Sequence, residues 1–418
     1  MYISQAPWPG SCQNRQKGSA WRWVGAFSSG CPYLRTRGGC VSDPVASQVL
    51  YNVLAEHIIK HFYHPDLEAL RVVFAAVHAH YSEGDPVWLF VNGPAGSGKT
   101  SIAINCISGL PDVQIASDLT PRSFIAGKSQ KSEYTLLNKK SIILAFKDFT
   151  TIISKREDAQ KEIVAILREV YDGQISYRTA EANNKWEGKA TVIAAVTPAI
   201  ERSWAIHRDL GERFGQVRWH NTKRPTEAAR MARAQLGHEK QVGALMRAMT
   251  IDVFESASQY PGELSFEQGT RIDAAATMIA NLRRNVIRDS GSGRPIIDVP
   301  QAEEPTRLAK GLATLACHHA AIFSRERVND EDIRIAMRSA LDTIPAARLA
   351  IIQNMPSDMT ISSRELREIS ELHRNAVAWH TDELEALNVL TLGSTMDGER
   401  MVSYTKDFSA LWAEVNFD

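Results

Sequence analysis

The chain has 418 residues, 44% of them hydrophobic, with 48 Lys+Arg against 48 Asp+Glu. Its length predicts two or three domains, and its zero net charge argues against a globally basic nucleic-acid coat protein while leaving room for a local basic patch. No apolar run nears the roughly 18 residues of a membrane helix. The five cysteines (Cys12, Cys31, Cys40, Cys106, Cys317) lack a C-x-x-C pair, so they suggest a reducing, cytoplasmic setting instead of a disulfide scaffold.

Residues 1–43 are rich in Gly, Ser, Arg, Trp and Cys and hold no sustained helical or strand period; they read as a disordered leader. Residues 44–85 form a helical segment: Val49, Leu50, Val53, Leu54, Ile58 and Ile59, then Leu67, Leu70, Val73, Phe74 and Val77, recur at helical spacing. His61 and His64 stand at a metal-compatible i,i+3 spacing, but histidines scattered on amphipathic helices read better as surface or core.

An α/β core is expected over 86–225. The apolar strand Val87–Val91 leads into Gly93-Pro94-Ala95-Gly96-Ser97-Gly98-Lys99-Thr100, which reads G-x-x-x-x-G-K-[ST], and Ser101, a further candidate phosphate contact, opens a helical stretch. Strand, glycine loop and helix are the context of a phosphate-binding loop. Its glycines let backbone N–H groups turn toward phosphate oxygens, and the helix N-terminus adds partial positive charge. In that role Lys99 reaches the outer phosphates of ATP and the Thr100 hydroxyl meets Mg²⁺. Val113-Gln114-Ile115 reads as a second strand. Ser141–Phe149 opens as an apolar run suited to a parallel strand buried on both faces, and Asp148 at its C-terminal end is a second candidate Mg²⁺ contact, direct or through water.

Ile163, Ile166, Leu167 and Val170 mark one face of an amphipathic helix ending at Tyr171-Asp172-Gly173. Gln174–Thr179 and Lys185–Lys189 read as a β-hairpin with Lys185 near its tip. Thr191–Val196 is a further buried strand, and Gln216–Trp219 a short one. Helices over Pro225–Met249 and Phe266–Arg288 open a helical lid assigned to 226–350. Asp289–Pro305, rich in Gly, Ser and Pro, reads as a loop, and Asn329 as the N-cap of a helix carrying Ile333, Ala336, Met337, Ala340 and Leu341. In the last unit, 357–418, helices Ser362–Ile369 and His373–Leu387 precede two short strands around a polar tip, Ser394–Glu399. That is the layout of a winged helix-turn-helix, which binds DNA or a protein partner; in the DNA-binding case Arg374 and Asn375 open the helix that meets base edges or phosphates.

With these parts in order, the chain resembles an AAA+ ATPase, and more closely the subclade with a β-hairpin before the sensor-1 strand, which includes MCM helicases and magnesium-chelatase-like motors. The resemblance covers roughly 86–341 and rests on Gly93–Thr100, Ile142–Phe149, the 174–189 hairpin, Ala195-Val196-Thr197-Pro198, Gly211-Glu212-Arg213-Phe214, Pro305-Thr306-Arg307-Leu308 and Arg327–Ile333. It implies ATP and Mg²⁺ as cofactors, with Lys99 and Thr100 on phosphate and metal and Asp148 as the Walker B acid. It implies Thr197 at the place of the usual sensor-1 Asn, Arg213 as an arginine finger acting on a neighbouring subunit, and Arg307 as the sensor-2 arginine. Lys185 would then face a DNA-filled pore, touching backbone phosphate without reading sequence.

The family's Walker B ends in Asp-Glu; here the pair is Lys147-Asp148 or Asp148-Phe149, which leaves the catalytic acid open, with Glu169 as another candidate. The expectation is an oligomeric ring, a hexamer, acting as an ATP-driven DNA motor or remodeller in replication of a phage or mobile element. An ATP-gated DNA-binding regulator with little hydrolysis and a protein-remodelling ATPase are the alternatives.

Overall fold

The computed structural model describes residues 43–117, 119–120, 123–124, 136–178, 183–202, 213–220, 224–291, 293–356 and 359–415. Residues 1–42 of the expected leader, residues 179–182 between the two hairpin strands, and Gly211-Glu212 lie outside the described residues.

Two helices open the fold. In α1 (Pro44–His61), Asp43 accepts the Val45 N–H and proline takes the first helical position; in α2 (Leu67–His78), Asp66 accepts the Ala69 N–H. Strand β1 (Trp88–Asn92) follows, then a π-helical turn (Thr100–Ile104) running into the short α3 (Asn105–Ile107). Strands β2 (Val113–Ala116) and β3 (Ser141–Phe146) lead to α4 (Thr150–Ile153) and α5 (Glu157–Tyr171). The hairpin β4 (Gln174–Arg178) and β5 (Asn183–Glu187) precedes β6 (Lys189–Val196), and β7 (Phe214–Arg218) completes the α/β part.

Five strands form one parallel sheet in the order β2-β3-β6-β1-β7. Alternation along β1 divides two cores. Leu89 and Val91 face helices α1 and α2, whereas Trp88 and Phe90 join Leu144, Phe149, Leu167 and Phe214 on the opposite face. Burial on both faces explains the near-continuous apolar runs of β1, β3 and β6. The π-helical turn behind the glycine loop is a local geometry that an apolar pattern does not distinguish from an α-helix.

Lys185 is not at the hairpin tip. It pairs with Ser176 in the middle of β5, with two further residue pairs beyond it. The hairpin base is closed where the Gly188 N–H donates to Gly173 O at 2.9 Å and the Lys189 N–H to Lys140 O at 2.7 Å. A Cβ on Gly188 would lie 2.0 Å from Lys140 O, so only glycine lets the two backbones approach here.

The rest is largely helical: α6 (Pro225–Ala234), α7 (Glu239–Ser256) and α8 (Phe266–Leu282), then the small ribbon β8 (Ile287–Arg288) and β9 (Ile296–Asp298), then α9 (Thr306–Ile322), α10 (Asp330–Thr343) and α11 (Ala346–Asn354). The expected helix Pro225–Met249 is thus two helices broken at Gly237, and the expected loop 289–305 contains β9. Asn329 caps α10 in a reciprocal capping box with Asp332. The C-terminal segment holds β10 (Ile361–Ser362), α12 (Ser363–Ser370), α13 (Arg374–Ala386), β11 (Leu390–Ser394), β12 (Arg400–Tyr404) and α14 (Lys406–Val415), with its sheet ordered β10-β12-β11. This segment shares its core with the helices before it. The Asn281 amide donates to Leu387 O at 2.9 Å, the Arg271 guanidinium to Val415 O at 2.5 Å, and the Tyr404 hydroxyl to Ile352 O. Among the described residues no helix is long and apolar enough to cross a membrane.

Candidate active site

The glycine loop leaves the C-terminal end of β1, the end of a parallel sheet where ligands bind in open α/β folds. Gly96 (φ +77°) and Gly98 (φ +87°) take left-handed conformations that side chains resist. Gly93 is pressed against Trp219, where an added Cβ would stand 2.9 Å from the Trp219 Cβ. Trp219 Nε1 donates to Ser97 O at 3.1 Å and fastens the loop from outside. The Ser97 hydroxyl oxygen is buried without a partner among the described residues, a polar group suited to a phosphate oxygen.

Lys99 is buried, and its ammonium donates to Gly93 O at 2.8 Å and Pro94 O at 2.9 Å. Burial pushes its pKa below the usual lysine range, opposed by the charge of Asp148. The loop lysine and the expected acid therefore sense one another across the site. The Thr100 hydroxyl donates to the carbonyl oxygen of Lys147 at 3.3 Å, which brings Thr100 beside Asp148. A hydroxyl and an exposed carboxylate are oxygen donors of the kind Mg²⁺ takes together with phosphate oxygens. Ser101, the last residue of the expected phosphate segment, is exposed in the π-helical turn.

Asp148 follows β3, and its Oδ1 accepts the Thr150 N–H at 2.9 Å. The Thr150 hydroxyl accepts the Thr197 N–H at 3.2 Å, and the two hydroxyls lie 3.3 Å apart. Asp148, Thr150 and Thr197 thus form one connected row along the sheet edge beside the loop. Thr150 was not singled out from the sequence; its one signal is its place two residues after the acid. Asn92 and Glu201 join the same edge: the Asn92 amide donates to Glu201 Oε1 at 3.2 Å. Nothing in the sequence connects two residues 109 positions apart.

Glu169 is excluded from this row. It lies two residues before Tyr171, whose ring meets Trp88 at the opposite end of β1, with centroids 5.2 Å apart.

Arg213 and Arg307 are together, but not at the loop. Arg213 immediately precedes β7 and Arg307 opens α9. Their guanidinium carbons lie 5.4 Å and 6.0 Å from the centre of the Tyr171 ring. Arg213 also pairs with Asp172 at 3.4 Å. Both line a cavity of about 420 Å³ bounded by Pro86–Leu89, Tyr171 and the first turns of α9. That cavity is at the N-terminal ends of β1 and β7. The five-residue strand between it and the loop spans about 17 Å, beyond the reach of an arginine side chain.

The three residues assigned to DNA lie apart from both places. Lys185 is exposed on the hairpin arm, and Arg374 and Asn375 are exposed in the first turn of α13, where His373 caps the Asn375 N–H at 3.3 Å. The histidine pair His61/His64 gathers no ligand set. Among the described residues no group of three His, Cys, Asp or Glu side chains is placed to hold a metal. His78 and His80 are instead buried in hydrogen-bonded core positions, against His318 and against Thr191 and Ser141 respectively.

No protein-family model matches the chain, and no curated protein matches it. The chemistry of the site therefore carries the functional argument.

Replacing Lys99 with Ala is expected to lower affinity for a fluorescent ATP analogue by roughly 10–100-fold, the span of lost charge-assisted hydrogen bonds. Equilibrium titration reads this directly, and unchanged affinity would remove Lys99 from the site.

Proposed function

We propose that the chain is an ATPase of the AAA+ type that acts on DNA as an assembly of identical copies. The observation that carries this reading is the separation of the two halves of the site. The glycine loop, Asp148 and Thr197 stand at one end of the parallel sheet, and Arg213 and Arg307 converge at the other. One copy cannot bring both to a single nucleotide. Adjacent copies packed end against end complete the site, with the arginines of one offsetting the charge that develops on the phosphates held by the next. Thr100 and Asp148 would hold Mg²⁺, whose charge would offset that of the phosphates. A ring satisfies every interface at once; a hexamer is the proposed size.

The DNA assignment draws on Lys185, exposed on a two-stranded hairpin separate from the main sheet, and on Arg374 and Asn375, exposed at the start of a helix in a winged-helix layout. Steady-state ATP hydrolysis with and without single- and double-stranded DNA tests the reading. Strong DNA stimulation is expected, and turnover indifferent to DNA would overturn the motor. Lys185→Ala is expected to weaken DNA binding and to reduce the slope of log affinity against log salt by about one. A slope equal to wild type would take Lys185 off the DNA.

The row Asp148–Thr150–Thr197 supplies a single carboxylate, and Glu201 is already committed to Asn92, Arg218 and Ala346. This favours slow hydrolysis and keeps a second reading in play, an ATP-gated DNA-binding regulator. Tight ATP binding with turnover near zero at every protein concentration would select it.

A further inference from the structure

Glu201 stands in the short 3-10 helical turn after β6, and both of its carboxylate oxygens are used. Oε1 accepts from Asn92 Nδ2 at 3.2 Å and from Arg218 Nε and Nη2 at 3.1 and 3.0 Å. Oε2 accepts the Ala346 N–H at 3.3 Å. Asn92 is the last residue of β1, directly before Gly93 of the glycine loop. Ala346 is the first residue of α11. A carboxylate there meets an otherwise unpaired N–H and the positive end of the helix dipole, and so sets the direction of a short helix.

Arg218 grips the same junction. Its N–H donates to Asp342 Oδ2 at 2.8 Å and its Nη2 to Ile344 O at 2.5 Å. The turn from α10 into α11 is therefore held to the sheet edge at Asp342, Ile344 and Ala346.

Two residues into α11, Arg348 is buried (2% exposed). Its Nη1 donates to Leu282 O at 2.8 Å and Arg284 O at 2.7 Å, and its Nε and Nη2 donate to Glu383 Oε2 at 3.1 and 3.0 Å. Glu383 belongs to α13, the helix whose first turn exposes Arg374 and Asn375. One carboxylate thus touches both the stem of the glycine loop and the helix that carries α13.

We propose that Glu201 is a positioning residue that couples occupancy of the glycine loop to the setting of α13 by way of α11. The proposal rests on the nucleotide reading above. Phosphate in the loop competes with Gly93 O and Pro94 O for the Lys99 ammonium, and Gly93 is the neighbour of Asn92. The Asn92 side-chain oxygen is buried without a partner among the described residues, so its amide is oriented through the bond to Glu201. A shift at the end of β1 therefore reaches Glu201 and passes to the start of α11. The nine-residue α11 is a rod of about 13 Å. Its buried Arg348–Glu383 clamp resists gradual deformation, so α13 is carried with it.

Hydrogen–deuterium exchange of the full chain, with and without a non-hydrolysable ATP analogue whose binding is titrated separately, tests the coupling. In wild type the analogue is expected to change exchange in 346–354 and 374–386 by about fivefold or more. Glu201→Gln keeps the shape and removes the charge, and should abolish the change at both helices while the analogue still binds. Ala346→Pro removes only the N–H that meets Oε2, at a helix position where proline is tolerated. It should leave exchange near the glycine loop responsive and silence α13, which keeps the test decisive should Glu201→Gln fail to fold. If wild type binds the analogue but α13 does not respond, or responds equally in the variants, the coupling is refuted and the nucleotide reading stands. If wild type does not bind the analogue, the nucleotide reading itself falls, and the coupling with it.

Discussion

Arg213→Ala is expected to leave ATP binding within about twofold of wild type and to lower hydrolysis by about 10³-fold, the lower end of what an arginine finger contributes. The split follows from geometry. Arg213 is a strand length from its own glycine loop and stacks by Tyr171 at the far end of the sheet, so it does not contribute to binding in its own copy. A mixing experiment separates this from a folding defect. Lys99→Ala has an intact finger and an impaired loop, and Arg213→Ala the reverse. Each alone should be inactive, and mixed at concentrations that favour assembly they should regain activity at hybrid interfaces. No recovery on mixing, together with normal thermal stability of both variants, would refute action between copies. Full activity of Arg213→Ala alone would refute the finger role outright.

The second large effect concerns acid stability. Burial pulls the pKa of His78 down to about 4 and that of His80 to about 3, the latter aided by the nearby Lys189 charge; His318 is also held well below 6.5. These groups are neutral in the fold and bind protons more readily once unfolded. The unfolded chain therefore takes up more protons as pH falls below 6.5, and stability drops with it. At pH 5 each of His78 and His80 contributes a loss of about 2 kcal/mol. Asp342, pushed up to about 6 by burial, gains about 1 kcal/mol over the same interval, because its neutral form is favoured in the fold. Asp66, Glu68 and Glu383 are held below the usual carboxylate range, so what they contribute fades only at lower pH. The expected net loss is roughly 3 kcal/mol or more between pH 7.5 and pH 5. Urea unfolding at the two pH values measures it. His80→Gln should be less stable at pH 7.5, through its altered bonds to Thr191 and Ser141, but should show a shallower pH dependence. Equal stability at both pH values in wild type would contradict the buried, neutral assignment.

The parts whose signals are local could be read from residue order alone. The glycine loop is one contiguous motif, and its left-handed glycines follow from residue type. The buried strands β1, β3 and β6 read as apolar runs because both faces of the sheet are covered. The Asn329 cap was legible because capping is chemistry between residues three apart. A hairpin pattern marks two arms without fixing their register, so the exact place of Lys185, opposite Ser176 in the middle of β5, comes from the strand pairing. The short β9 was hidden in a Gly/Pro-rich stretch, since two- and three-residue strands carry no period.

Where distant residues meet depends on the folded arrangement of the strands. The pairing of Arg213 with Arg307 around Tyr171, at the end of the sheet away from the loop, depends on strand direction, which no residue pattern records. The link from Thr150 to Thr197, and the clasp of Glu201 on Asn92, Arg218 and Ala346, join residues 17 to 145 positions apart. Such contacts arise because a parallel sheet brings the C-terminal ends of strands β1, β3 and β6 to one edge whatever lies between them in the chain. A sequence names the chemistry available at that edge; the strand order β2-β3-β6-β1-β7 selects which groups share it.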